Sequence, residues 1–244
     1  MSAPMVVAGV DGCPAGWLVV LRSLQAEATR ALIFETFAEV LAMPDVPSVI
    51  AVDMPIGLPG RGAAGGRRCD VEARRGLGAR QSSLFAVPAR AAVMETDYAR
   101  ACTAARACSD PPRMVSKQCF NLFPKIREID ALMTPALQAR VVECHPEAAF
   151  VAMNGGAALS EPKKVKSRAH PPGLEQRRGL LAAHGFARAF VDSRPFRPSQ
   201  AGADDLIDAC ACAWTAARVW RGAAVRFPAV PDVDANGLRM EIWA

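Results

Sequence analysis

Val6-Val7-Ala8-Gly9-Val10 is an unbroken apolar run followed by Asp11 and Gly12, and residues 5–10 read as a buried strand. Gly12 to Gly16, with Pro14 between them, reads as a tight turn. Trp17 to Arg22 predicts a second strand, antiparallel to the first, and Ala31 to Phe34 predicts a third at hairpin-like spacing. Phe37, Val40 and Leu41 recur at i, i+3, i+4, which predicts a short helix over about Thr36 to Met43. Val49-Ile50-Ala51-Val52 then predicts a fourth strand, closed by Asp53 and followed by Met54-Pro55-Ile56-Gly57. The N-terminal region therefore predicts a β-β-β-α-β order.

From Gly57 to about Gln138 the pattern becomes helical and irregular. Gly57, Pro59, Gly60, Gly62, Gly65 and Gly66 predict a loop, and helical spacing with charged faces appears near 69–77, 87–107 and 116–133. Val141-Val142 predicts a fifth strand ending at Glu143. Pro146 suits the first turn of a helix running through Phe150. Residues 154–172 are polar, contain Gly155-Gly156 and a lysine run, and predict a mobile loop. A helix over 173–184 and a long, heavily buried one from about Gly202 to Trp220 follow. Beyond Val225, Pro228, Pro231, Asp232 and Asp234 precede an apolar stretch, Leu238 to Trp243, that predicts an edge strand. With no repeat and no linker, the pattern predicts one α/β domain over 1–244, carrying a helical insertion at about 57–138 before the fifth strand.

The chain has 244 residues, enough for a substantial core. No apolar stretch reaches the length of a membrane span, and Met1 to Met5 lack a basic leader region, so a soluble cytoplasmic protein with no membrane partner is the expectation. Eight scattered cysteines without a C-x-x-C read as reduced thiols. A zinc site from a cysteine and His145 would need a spacing that common zinc motifs do not show. The net charge of +5 is mild, but it is unevenly spread. Arg61, Arg67, Arg68, Arg74, Arg75 and Arg80 crowd one segment; Lys163, Lys164, Lys166, Arg168, Arg177 and Arg178 crowd another. Two readings compete, an anionic partner and solvated helix faces.

Carboxylates recur at element ends: Asp11, Asp53, Glu143, and Asp204, Asp205 and Asp208 on the last helix. Asp208 shares a helix face with either Asp204 (i, i+4) or Asp205 (i, i+3). If that helix crosses the strand ends, three or four carboxylates converge and call for hard divalent cations, Mg²⁺ or Mn²⁺. Two such ions would activate water for phosphodiester cleavage. Local roles compete with this. Asp204 and Asp205 suit a helix N-terminus, Glu143 and Glu147 suit a cap, and Asp11 suits a turn.

Several blocks together resemble a known family. They are Gly9-Val10-Asp11-Gly12-Cys13-Pro14-Ala15-Gly16-Trp17 and Ala51-Val52-Asp53-Met54-Pro55-Ile56-Gly57-Leu58-Pro59. Arg68-Cys69-Asp70 with Ala73-Arg74, Leu77-Gly78, and Ser83-Leu84-Phe85 through Pro88 follow. Lys125-Ile126-Arg127-Glu128-Ile129-Asp130, Glu143-Cys144-His145-Pro146-Glu147 and Asp204-Asp205-Leu206-Ile207-Asp208-Ala209 complete the set. The set is similar to an uncharacterised prokaryotic family, a domain of unknown function regarded as comprising ribonuclease H-like nucleases. The resemblance implies a ribonuclease H-like fold, a five-stranded mixed sheet flanked by helices, with metal-dependent nuclease chemistry. It also implies a metal-bridging role for Asp11, with Asp53 and either Asp205 or Asp208 as further ligands. Such enzymes often carry a glutamate on the first helix; Glu39 holds that position here, and Glu143 is the other choice.

Further residues have two readings each. His145 could relay a proton or bond the backbone. Arg68, Arg74, Lys117, Lys125 and Arg127, with Lys163 and Lys164 of the second basic segment, could hold phosphates. Arg127, Glu128 and Asp130 could equally be ion pairs within one helix. Gln118 and Asn121 suit a base or sugar, while Trp17 and Trp214 suit the core. The leading functional expectation is a divalent-metal nuclease acting on nucleic acid or a phosphorylated small molecule. The alternatives are a nucleotide-binding kinase or ATPase-like protein sharing the core, with Gly155-Gly156 as a weak second phosphate loop, and a binding protein with vestigial carboxylates. Oligomeric state is not legible.

Overall fold

Alternation along the first strand decides which helices it meets. Val7, with Leu18, Val20, Ala51 and Val142, joins one buried cluster, whereas Ala8 and Val10, with Trp17, Val19, Ile50, Val52 and Val141, join another. Strands whose residues are buried on both faces read as continuous apolar runs because a sheet covered on both sides has no polar face. The computed structural model describes residues 5–166 and 168–244. Met1–Pro4, most of the segment inspected for a leader, lie outside the described residues.

The central sheet has five strands, β1 (Val6–Cys13), β2 (Gly16–Ser23), β3 (Thr29–Phe34), β4 (Ile50–Val52) and β5 (Val141–Glu143), in the order β3-β2-β1-β4-β5. β1, β2 and β3 are antiparallel neighbours, with Val10 opposite Val19 and Val20 opposite Ala31. Helix α1 (Phe37–Leu41) carries the chain back so that β4 lies parallel to β1, and β5 lies parallel to β4. Gly9 aligns with Ala51 and Ala51 with Val142, so three strands end along one edge. In an open α/β sheet this edge is where ligands bind.

The stretch between β4 and β5 holds α2 (Arg68–Arg75), α3 (Tyr98–Ala107) and α4 (Lys117–Leu132), where the helical insertion is expected. The single helix expected over 87–107 is two, Arg90–Val93 and α3, because the Asp97 side chain accepts from the Arg100 N–H and starts a new helix. After β5 come α5 (Pro146–Met153), α6 (Pro171–Ala183) and α7 (Ala203–Trp220). The last apolar stretch is a strand, β7 (Arg239–Trp243), paired with β6 (Arg226–Val233); Trp243 bridges to Cys144 beside β5.

Helices α5, α6 and α7 cover one face of the sheet, and α1, α3 and α4 cover the other. Trp17 and Trp214 are both core residues. All the cysteines are free thiols, buried except for the partly exposed Cys108. Among the described residues no helix is long and apolar enough to cross a membrane.

Candidate metal centre

Asp11 follows Val7 and Gly9 on β1 at steps of two, so it shares their face, the one covered by α7. Asp53 continues Val49 and Ala51 in the same way, and its N–H donates to the Val10 carbonyl at 2.9 Å, which keeps it beside Asp11. The third member comes from α7. That helix is lined by small residues, Ala209, Cys210, Ala211, Cys212 and Ala213, all buried. Gly9 lets it lie directly on β1. A Cβ at Gly9 would stand 2.0 Å from the Ala213 nitrogen and 2.1 Å from the Ala209 oxygen, distances no side chain tolerates. The contact places the start of α7 over the strand ends and brings in Asp208.

Oxygens of Asp11, Asp53 and Asp208 all lie within 4.8 Å of one another. Asp11 and Asp208 are buried and Asp53 is half-buried. Asp208 Oδ1 is inaccessible and has no hydrogen-bond partner. Burial raises the Asp11 pKa well above the usual carboxylate range, and the neighbouring Asp53 and Asp208 charges raise it further. Burial, then Asp208, pushes Asp53 up to about 8. Burial lifts Asp208 to about 6 against the opposing pull of Lys163, whose ammonium donates to Asp208 Oδ2. Three carboxylates that resist ionising together, with one orphaned oxygen, fit a hard divalent cation through oxygen ligands alone.

The other acids are held elsewhere. Asp204 pairs with Lys164 at 2.6 Å; burial opposes its ionisation, but the two lysines outweigh this and hold its pKa below the usual value. Asp205 Oδ2 accepts the Gly202 N–H at 2.7 Å, capping α7, so the structure does not bring it into the triad with Asp208. Glu39 is exposed and accepts from the Glu35 and Thr36 N–H groups at the start of α1, a local cap. Glu147 forms a two-bond pair with the buried Arg177, at 2.9 and 2.7 Å.

Glu143 departs for a reason of strand geometry. It aligns with Val52 and steps from Val141, both on the face opposite α7. There it meets Arg67, at 2.5 and 2.8 Å, and accepts the Ile56 N–H at 2.7 Å. Arg67 also grips Asp70, at 2.7 and 3.1 Å, and donates to the Ile56 and Gly57 carbonyls. Burial pushes Glu143 up to about 7 while Arg67 pulls it down. The arrangement is a buried ion triad tying α2 to β5 and to the chain after β4.

Asp11 and Asp53 open onto a cleft of about 170 Å³ that also reaches Arg67, Glu143, His145, Ser83, Phe85, Gln118 and Lys125. His145 Nε2 lies 3.2 Å from the Ser83 carbonyl, which can only accept, so the proton sits on Nε2 and Nδ1 is a buried lone pair without a partner. Burial lowers the His145 pKa to about 4, keeping the ring neutral.

Of the basic residues expected to hold phosphate, Lys125 lines the cleft; its ammonium donates to the Gly16 carbonyl at 2.5 Å and covers the Trp17 ring. Lys163 and Lys164 sit on the acids of α7. The rest are spent on other contacts. Arg68 reaches Asp232 and the Val230 carbonyl of β6, and Arg74 ties down the Leu84 and Gly65 carbonyls. Arg127 holds the Val93 and Glu95 carbonyls, and Lys117 lies over Tyr98. Gln118 reaches the cleft, whereas Asn121 is exposed and is not among its lining residues.

The segment expected to be a mobile loop is clamped before α6. Arg177 donates to the Glu161 carbonyl at 3.0 Å, Gln176 Oε1 accepts the Glu161 N–H at 3.1 Å, and the His170 N–H donates to the Lys163 carbonyl at 2.8 Å. A Cβ at Gly173 would stand 1.8 Å from the Pro162 oxygen, so glycine admits this close approach. Nothing in the sequence distinguishes Arg67, Arg177 and Gly173, which are buried, from the other arginines and glycines around them.

No curated protein matches this chain, and no solved structure matches it. Residues 9–233 match the family described as Protein of unknown function (DUF429), from within β1 to the end of β6, and the chain belongs to that family.

Proposed function

We propose that the protein is a divalent-metal-dependent phosphodiester hydrolase acting on nucleic acid, with a ribonuclease H-like arrangement of its acids. The observation that carries this reading is the convergence of Asp11, Asp53 and Asp208 from the first strand, the fourth strand and the last helix within 4.8 Å. The resemblance of the chain's motifs to predicted ribonuclease H-like nucleases supports the same order of acid-bearing elements. Asp11, Asp53 and Asp208 would hold the ion, and all-oxygen ligation favours Mg²⁺ or Mn²⁺. Such an ion supplies Lewis acidity and lowers the pKa of a bound water.

The chain's own residues supply the rest. Lys125 lines the same cleft as Asp11 and Asp53 and brings a positive charge to it, suited to a phosphate oxygen. The His145 ring is neutral and adds no charge to the cleft. The Arg67 triad keeps Glu143 out of the metal shell and holds the cleft wall in place.

The test is cleavage of single-stranded, duplex, hybrid and branched oligonucleotides with Mg²⁺ or Mn²⁺, in wild type and Asp11→Asn. Loss of one carboxylate from the centre is expected to lower cleavage by about 10² or more, the scale seen when a key electrostatic group is removed. No cleavage of any of these by the wild type, with thermal stabilisation by ATP and by no oligonucleotide, would overturn the reading in favour of a nucleotide-binding protein.

A further inference from the structure

We infer that the acidic centre is built for one divalent cation, with the Lys163 ammonium beside Asp208 supplying the positive charge that a second ion would supply in a two-metal hydrolase. The inference rests on the metal reading above and goes beyond it in stoichiometry and in the role of Lys163. Two ions about 3.5–4 Å apart need carboxylates on both sides of the pair. Here three carboxylates face one another, and the other acids nearby are already engaged. Glu143 is held by Arg67 on the far face, Asp204 by Lys164, and Asp205 by the Gly202 N–H.

Into this three-acid centre comes one cationic side chain. Lys163 bonds Asp208 Oδ2, while the buried Asp208 Oδ1 is left without a partner. The Lys163 side chain is one-quarter exposed where it meets the buried Asp208, so its charge lies at the edge of the acidic centre. It is also pre-positioned. The backbone at Glu161, Pro162 and Lys163 is clamped by Arg177, Gln176, the His170 N–H and the close approach at Gly173. Arg177 is itself fully buried against Glu147.

In hydrolysis a P–O bond forms to the water oxygen and the ester P–O bond breaks, leaving the departing oxygen protonated. Lys163 acts on charge, stabilising the negative phosphoryl oxygens, and is unchanged at the end.

The experiment is Mn²⁺ titration followed by electron paramagnetic resonance, then calorimetric titration of inorganic phosphate into the Mn²⁺-loaded protein. Wild type, Lys163→Met and Lys163→Arg are compared. Wild type is expected to bind one Mn²⁺ per chain. Lys163→Met is expected to bind Mn²⁺ about tenfold tighter, having lost a competing cation, and phosphate about tenfold or more weakly, the scale of one charge-assisted hydrogen bond. Lys163→Arg, which keeps the charge, is expected to hold phosphate within about threefold of wild type, less than the loss of a whole such bond. Two Mn²⁺ ions in the wild type would overturn the inference and leave the metal reading standing. Unchanged or tighter phosphate binding in Lys163→Met would overturn it in favour of an inhibitory contact. No Mn²⁺ binding by the wild type would sink the metal reading and this inference together.

Discussion

Asp53 and Glu143 stand at the ends of neighbouring parallel strands, yet one step of side-chain alternation sends them to opposite faces of the sheet. Burial raises the proton affinity of both, but Asp208 raises that of Asp53 further, whereas Arg67 pulls that of Glu143 down. The Asp53 shift has a measurable consequence. The folded protein holds the Asp53 proton up to about pH 8, while an unfolded aspartate releases it near pH 4. Between those values the folded state binds more protons than the unfolded state, so stability is highest at the acid end and falls as pH rises. Metal-free wild type is expected to lose stability across this interval, and Asp53→Asn, which cannot ionise there, to show a flatter profile. Urea unfolding in chelator at pH 5 and pH 8 measures it; parallel profiles for the two proteins would show that Asp53 is ionised throughout. The same scale explains why Arg67 and its neighbour Arg68 differ. Arg67 is buried between two carboxylates, whereas Arg68 reaches solvent and β6, and only the fold distinguishes them.

At the scale of elements, the decisive contact is α7 lying on β1 at Gly9. Close approach of a helix backbone to a strand needs a position without a Cβ, and the alanines and cysteines of α7 complete the fit. Gly9→Ala forces the helix outward and carries Asp208 away from Asp11. Overpacking of this kind costs about 1–3 kcal/mol. The expected outcome is a protein destabilised by that amount in urea whose Mn²⁺ affinity falls as well. Unaltered affinity would show that the placement of Asp208 does not depend on this contact. Much of the element level was legible: the β-β-β-α-β order, the buried last helix and Pro146 at a helix start all follow from periodicity. The break at Asp97 and the clamp on residues 161–163 were not, since the first depends on a single cap and the second on arginine, glutamine and glycine residues 11 to 16 positions away.

For the whole molecule, three strands ending together, a helix over their ends and a cleft beside them form a centre of opposed carboxylates that could hold a cation. Binding to the folded state alone adds stability. At a hundredfold excess over Kd the gain is about 2.7 kcal/mol. For a chain of this size that corresponds to a melting-temperature rise of roughly 5–10 °C. Thermal unfolding with Mn²⁺ and after chelation measures it, and Asp11→Asn is expected to lose most of the rise. An equal rise in wild type and Asp11→Asn would place the ion elsewhere.

The amino-acid sequence by itself determined the five strands of the central sheet, most of the helices, the aspartates Asp11 on β1 and Asp53 just past β4, and the motifs by which the chain belongs to its family. Those are local facts, carried by periodicity and by residues a few positions apart. Tertiary structure alone decided that Asp208, and neither Asp205 nor Glu143, completes the triad, that Arg67 is a wall of the cleft, and that Lys163 is fixed over the acids. Each of these depends on which face a residue occupies and which distant element covers that face. Register and packing settle such matters, because a one-residue step along a strand reverses the direction of a side chain.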